Sequence, residues 1–295
     1  MMKGRLQTLT LLFNMVIGVV WGCPTSVQFN YDQQVAWASL SGSQCAGMRQ
    51  SPIDITTAQT ETNSTLTSLL FSSWNKAVSG EYENVGYSVK FVPETLDATV
   101  TNHLGTYIVL QLHLHWGNDG TQGSEHTING KKYAAEIHFV SLKKGYPPIT
   151  SSFGDTLSVV GVLCEAADIA IKGTIWEQLF PVPTSYGKHI NLPALQYNQF
   201  LPSNLDYYHY DGSLTTPPCS EIVEWFVLKQ PIQIPIEYLN MLRQTQQDSN
   251  GSILLNNYHN VQPLNGRVVY QYSHGANNRS VFPIILMVLF ISGFV

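Results

Sequence analysis

The sequence has few charged residues and no cluster of a single sign. Only 12% of its 295 residues are Asp, Glu, Lys or Arg, and the formal net charge is −5 with His neutral. Because no basic stripe runs through the chain, a nucleic-acid-binding protein is not expected. No linker rich in Pro, Gly or Ser and no internal repeat divides the chain, so one domain is predicted.

Long hydrophobic runs are confined to the two ends. At the N-terminus, Lys3 and Arg5 precede an apolar run that finishes at the small residue Gly22. This order is typical of a secretory signal peptide, and the run is too short for a membrane-spanning helix. Residues 1–22 are therefore predicted to be removed.

The C-terminal run, residues 281–295, is uncharged and shorter than the roughly 20 residues that a membrane-spanning helix needs. Small residues at Ser273 and Gly275, then a polar spacer and this tail, are typical of a GPI-attachment signal. We predict that residues 273–295 are a GPI signal with Ser273 as the attachment site and Gly275 as the alternative site. A short membrane helix that stays in the mature protein is the competing interpretation.

The mature domain, residues 23–272, is then expected at the extracellular face of the plasma membrane, with secretion as the alternative. Removing both ends takes three basic residues and no acidic residue, so the net charge becomes about −8. Acceptor sequons at Asn63 and Asn250 are predicted glycosylation sites. A third sequon, at Asn278, would leave with the tail.

Short runs of β-branched and aromatic residues, separated by Gly, Pro and Asn, predict a mainly β protein. Helical periodicity is weak and clearest near residues 236–246.

Two histidines, His113 and His115, are separated by one residue in the apolar run from Gln111 to Trp116. Side chains alternate faces along a strand, so both rings are predicted on one face. Imidazole is a common zinc ligand. Two core histidines bonded to backbone groups are the alternative for this segment taken alone.

A third histidine, His138, lies in the strand-like run from Tyr133 to Val140, after a predicted hairpin turn at Asn129 and Gly130. Pairing of the two runs can bring His138 beside the first two histidines. Three histidines without a fourth protein ligand describe an open catalytic zinc site that keeps one water, with one Zn²⁺ per chain.

Hydrogen-bond partners that orient the histidine ligands are also predicted. Gln111 shares a strand face with His113, and Glu136 shares one with His138, so each can orient a ligand. Asn257 is a further candidate for this role. The alternative for Glu136 is a solvent-exposed carboxylate at a sheet edge.

Several segments, in order, resemble the α-class carbonic anhydrases, and especially their extracellular GPI-anchored members. They are residues 50–55, 111–117, 124–127 with 134–140, 210–218 and 225–228. The resemblance covers roughly residues 36–272. It implies a central, twisted, mostly antiparallel sheet of about ten strands with short peripheral helices.

The resemblance also implies the reaction, reversible hydration of carbon dioxide to bicarbonate and a proton by zinc-hydroxide attack. Thr215 corresponds to the residue that accepts a hydrogen bond from this hydroxide, and Glu125 to the carboxylate that takes the proton of Thr215. Thr216 would contact bicarbonate. The carbon dioxide pocket would be formed by Val140, Val159, Leu214 and Trp225, and bulky residues at the valines would fill it.

Cys45 and Cys219 match the disulfide positions of extracellular relatives, whereas Cys164 is expected to be a buried free thiol and Cys23 has no assigned partner. Tyr87 stands where fast family members carry a histidine that moves protons between the zinc-bound water and buffer. A phenol with a pKa near 10 does this poorly at pH 7, so slower proton release is expected unless His103, His189 or His209 substitutes. A non-catalytic carbonic-anhydrase-like binding module and a zinc esterase are the alternative functions.

Overall fold

The computed structural model describes residues 29–145 and 155–274. The predicted signal peptide, Cys23 and most of the predicted GPI signal lie outside the described residues. Within the described ranges, no helix combines the length and apolar character needed to cross a membrane.

The described elements are fifteen strands, one α-helix and four 3₁₀-helices. The strands are β1 (Asp54–Ile55), β2 (Glu61–Thr62), β3 (Leu70–Ser72), β4 (Val78–Asn84), β5 (Val89–Pro93), β6 (Thr99–Asn102), β7 (Gly105–Trp116), β8 (Thr127–Ile128), β9 (Ala135–Lys143), β10 (Leu157–Ala167), β11 (His189–Leu195), β12 (Tyr207–Gly212), β13 (Val223–Leu228), β14 (Ile232–Pro235) and β15 (Tyr270–Tyr272). The α-helix α1 is Ile236–Leu242, and the 3₁₀-helices are Tyr31–Ser39, Thr57–Gln59, Ile175–Leu179 and Tyr197–Phe200.

Thirteen strands form one mixed sheet, whose main path has the order β11-β4-β5-β7-β9-β10-β13-β12-β15-β2. Most neighbours are antiparallel; the parallel pairs are β10 with β13, β10 with β14, and β15 with β2. The prediction of a mainly β, single-domain fold with a mostly antiparallel central sheet is confirmed. The main path holds the expected ten strands, and β3, β6 and β14 attach beside it.

Strands β7 and β9 lie inside this sheet and have different chemistry on their two faces. Leu112, Leu114 and Phe139 point into the large hydrophobic core on one face. The alternate residues, including the three histidines, point to the other face. Because a one-residue slip would exchange the two faces, burial of the apolar face fixes the register that sets the histidines.

The turn at Asn129 and Gly130 forms as predicted but has a more local role. Both residues have positive φ, 52° and 77°, which suits a tight hairpin turn. The turn joins β8 to Lys131 through the Ile128–Lys131 bridge. Strands β7 and β9 pair with each other, but the segment between them, residues 117–134, is longer and contains this turn together with β8. The expectation that this turn joins the two histidine strands directly is therefore wrong.

Cys45 and Cys219 form a disulfide across 174 residues of sequence, as the resemblance implies. The bond holds the end of the loop that contains Thr215 against the segment before β1, and Gln44 N–H donates to the Pro218 carbonyl beside it. Cys164 is a buried free thiol, as expected.

Candidate metal centre and active site

Three histidines meet on one face of β7 and β9. His113 lies directly opposite His138 in the antiparallel ladder, and His115 follows two residues later. Their ring centroids are 4.5–5.1 Å apart. One ring nitrogen from each lies within 4.8 Å of the others, which makes the group a candidate metal site.

Each histidine has its second nitrogen held by an acceptor. His113 Nδ1 lies 3.0 Å from Gln111 Oε1, His115 Nδ1 lies 2.7 Å from the Asn257 carbonyl, and His138 Nε2 lies 2.8 Å from Glu136 Oε1. These acceptors place the ring hydrogens on those nitrogens. The remaining lone pairs are His113 Nε2, His115 Nε2 and His138 Nδ1.

The free nitrogen of His115 is the observation that best fits a metal. His115 Nε2 is buried and has no hydrogen-bond partner among the described residues, which is costly unless another group binds it. Burial, and then mutual repulsion with other histidines, lowers the pKa of His115 well below its ordinary value. Burial also lowers the pKa of His113 and of His138. Neutral imidazoles with free lone pairs are what a divalent metal requires.

Glu136 is fully buried, so the alternative of an exposed edge carboxylate is wrong. Its Oε2 accepts the backbone N–H groups of Glu125 and His126, and its Oε1 contacts His126 Nδ1 and His138 Nε2. Burial opposes ionisation, but His126 and His138 hold the pKa of Glu136 well below its usual range.

The partners of Glu136 extend into a network that the sequence analysis missed. His126 Nε2 lies 2.7 Å from the Tyr210 hydroxyl, which lies 2.9 Å from Ser51 Oγ. Ser51 Oγ also accepts the backbone N–H of Ser213. The network therefore connects the carboxylate behind His138 with the loop that contains Thr215.

Glu125 and Thr215 lie next to this centre. Glu125 Oε1 accepts the backbone N–H of His259 at 2.7 Å. Burial raises the pKa of Glu125 well above its ordinary value, while hydrogen bonds from His259 and from the Thr215 side chain act in the opposite direction. A divalent cation bound by the adjacent histidines would favour the ionised form further.

The four predicted pocket residues are buried and belong to one apolar cluster, with Thr215 and Thr216 buried beside them. Val140 lies opposite Val159 in the ladder of β9 and β10, and Val159 lies opposite Trp225 in that of β10 and β13. The Trp225 ring centroid is 4.8 Å from that of His138. An uncharged wall therefore adjoins the metal centre.

Tyr87 lies in the connection between β4 and β5 and packs against the large hydrophobic core. It is half-buried and packs 5.4 Å from the Phe29 ring, and its carbonyl accepts from Asn257 Nδ2. Lys90, which the sequence analysis did not select, lies opposite His113 in the ladder of β5 and β7 and forms an ion pair with Glu83 at 2.9 Å.

The histidines considered as substitutes for Tyr87 lie elsewhere. His209 stacks on Phe226, on the face of the sheet opposite Trp225, because successive residues of a strand alternate faces. His103 packs against His209 at 5.0 Å. His189 is exposed on β11, beyond β4 and β5 from His113.

Residues 32–273 match the family described as eukaryotic-type carbonic anhydrase. The chain belongs to this family. It is 31% identical over 259 residues to human carbonic anhydrase 12 (Homo sapiens), covering 82% of this chain and 71% of the relative. It is 32% identical over 276 residues to bovine carbonic anhydrase 6 (Bos taurus), with 88% and 84% covered. It is 35% identical over 237 residues to canine carbonic anhydrase 6 (Canis lupus familiaris), with 76% and 73% covered.

Family membership over most of the chain makes the protein a carbonic anhydrase, in agreement with the resemblance seen in the sequence. The structure brings the predicted ligands, their acceptors and the pocket residues together. Asn257 differs from the other predicted partners because it binds His115 through its backbone carbonyl, while its side chain accepts from Trp116 N–H and donates to the Leu114 carbonyl.

Proposed function

We propose that the protein is an extracellular zinc enzyme that catalyses the reversible hydration of carbon dioxide to bicarbonate and a proton. His113, His115 and His138 would hold one Zn²⁺ per chain. The observation that carries this proposal is the buried, unpartnered Nε2 of His115 beside two histidines with equally fixed rings. When bound, zinc acts as a Lewis acid that makes hydroxide available from water near neutral pH.

The residues around the metal would orient the reactants. We assign Thr215 to donate its proton to Glu125, so that its oxygen can only accept and aligns the attacking oxygen with carbon dioxide. Val140, Val159, Leu214 and Trp225 would hold the apolar substrate, and Thr216 would donate to bicarbonate. Stopped-flow assay of carbon dioxide hydration by the purified protein tests the proposal; a folded, zinc-loaded protein without hydration would favour the binding-module alternative.

We expect proton release to limit turnover, because a tyrosine stands at position 87. Tyr87→His supplies a group that titrates near neutral pH, so kcat for hydration should rise and become less dependent on buffer concentration. Tyr87→Phe is the matched control, since it keeps the ring without the hydroxyl and should behave as the wild type. A wild-type rate that is already maximal at low buffer, and equal in both variants, would refute the expectation.

We propose that the mature protein is held at the cell surface by a GPI anchor at Ser273. Ser273 directly follows β15, and its hydroxyl accepts a hydrogen bond from Lys229 Nζ. The anchor would therefore start immediately after the sheet. The Cys45–Cys219 disulfide supports an oxidising, extracellular location. Asn63 and Asn250 are proposed glycosylation sites; Asn250 is exposed and Asn63 partly so.

Phosphatidylinositol-specific phospholipase C is expected to release the protein from intact cells with its hydration activity unchanged. Release into the medium, measured by activity and immunoblot against heat-inactivated phospholipase, checks the expectation. Retention on cells from which a known GPI-anchored marker has been fully released would instead support a retained membrane helix.

A further inference from the structure

A second group of potential metal ligands lies on the face of the sheet opposite the three-histidine centre. His209 and Asp211 are two residues apart on β12 and share this face. Glu224 of β13 lies directly opposite Asp211 in the antiparallel ladder. One ligand atom from each of the three lies within 4.8 Å of the others.

The hydrogen-bond pattern leaves two electron-pair donors facing each other. His209 Nδ1 lies 3.0 Å from the Trp225 carbonyl. A carbonyl can only accept, so Nδ1 carries the hydrogen of the neutral ring and Nε2 presents a lone pair. Nε2 lies 3.4 Å from Glu224 Oε2, an atom that is buried and has no hydrogen-bond partner in the described part of the chain. Since Glu224 is only 6% exposed, a proton or a cation has to satisfy this pair.

Burial and neighbouring carboxylates oppose the ionisation of Glu224. Burial, then the charge of Asp211 and its side-chain hydrogen bond with Glu224, then the charge of Asp155, raise the pKa of Glu224 to about 9, and Arg49 opposes them. Burial lowers the pKa of His209 to about 4, so at neutral pH its ring adds no positive charge. Glu224 therefore holds a proton at neutral pH, and a divalent ion bound between Glu224 and His209 would displace it.

We propose that His209 Nε2 and the carboxylates of Asp211 and Glu224 form a second binding site for a divalent metal ion of the zinc type. One imidazole with two carboxylates suits zinc and similar transition ions better than calcium or magnesium, which prefer oxygen alone. Asp211 is exposed and gives the ion a path from solvent.

His103 packs beside this site but is not one of the three grouped ligands. Its ring centroid is 5.0 Å from that of His209, and its buried Nδ1 has no hydrogen-bond partner among the described residues. An ion here would connect β12 with β13. Gly212 ends β12 and begins the loop that contains Thr215, so the site would stabilise the strand that carries this loop without contacting substrate.

The test is calorimetric titration of the untagged, zinc-loaded protein with Zn²⁺ near pH 7.5. We expect one further equivalent to bind, in addition to the zinc that the purified protein retains. Because the ion displaces the Glu224 proton, about one proton should be released per ion. Comparison of buffers with different ionisation enthalpies measures this release, and affinity should rise up to about tenfold per pH unit between roughly pH 6 and 8.

Glu224→Gln and His209→Gln should each lose the added equivalent while they keep carbon dioxide hydration, which shows that the variants fold. Glu165→Gln is the matched control, because Glu165 is an exposed strand carboxylate paired with Lys131. Absence of further binding at millimolar Zn²⁺ would overturn the proposal, and so would equal binding by Glu224→Gln and Glu165→Gln. Either result is independent of whether the three-histidine centre holds zinc.

Discussion

The His115→Ala variant is expected to lose its zinc during dialysis against a weak chelator, whereas the wild type retains it. The variant should also lose nearly all carbon dioxide hydration. His115 is the ligand whose free nitrogen is buried without a partner, and alanine leaves only two imidazoles for the metal. Loss of an outer partner of a metal ligand costs about 10–100-fold in affinity or activity. Loss of a ligand itself should exceed that range. Zinc content by mass spectrometry and stopped-flow hydration are the measurements.

The control for His115→Ala is His189→Ala, which removes a solvent-exposed imidazole on β11. It should keep both zinc and hydration at the wild-type level. If His115→Ala also kept full zinc occupancy and normal turnover, the assignment of the three histidines would be wrong.

Replacing Thr215 with alanine is expected to lower hydration about 100-fold or more while zinc content stays unchanged. Thr215 touches no metal ligand in our assignment, but its hydroxyl is assigned to donate to the buried carboxylate of Glu125, and its side chain lowers the pKa of that carboxyl. A positioned group that handles a proton typically contributes about 10²–10⁴-fold.

Thr215→Ser is the matched variant, because it keeps the hydroxyl and removes only a methyl group. Its activity should lie much closer to the wild type than that of Thr215→Ala, in kcat/KM measured by stopped flow. Equal losses in the two variants would show that the methyl group and its packing matter and that the proposed hydrogen bond does not.

The three-histidine group can be predicted from the sequence because it depends only on side-chain alternation along a strand and on the pairing of two strands. The alternation of side chains puts His113 and His115 on one face, and the pairing of two apolar runs brings His138 opposite His113. Gln111 and Glu136 follow from the same alternation, since each is two residues from its histidine.

Contacts between distant segments could not be predicted in this way. Asn257 was a predicted partner, but neither its ligand nor the atom it uses was predicted. It binds His115 through a backbone carbonyl 142 residues away, and no side-chain pattern marks a carbonyl. His126 lies inside a segment that resembles the family, but its bonds to Glu136 and Tyr210 depend on how the connection after β7 folds. The second cluster, His209, Asp211 and Glu224, had one signal in the sequence: a histidine and two carboxylates in neighbouring strand-like runs. That signal becomes a site only when β12 pairs with β13, which the sequence does not reveal.

Reversible removal of the metal tests the central claim most directly. The purified protein would be stripped with a strong chelator, assayed for carbon dioxide hydration, and assayed again after addition of one equivalent of Zn²⁺ and of Mg²⁺ in separate samples. Our account predicts that hydration disappears with the zinc and returns with Zn²⁺ but not with Mg²⁺, because neutral imidazoles bind zinc and magnesium prefers oxygen ligands. Full hydration activity in protein shown to contain no metal would contradict it.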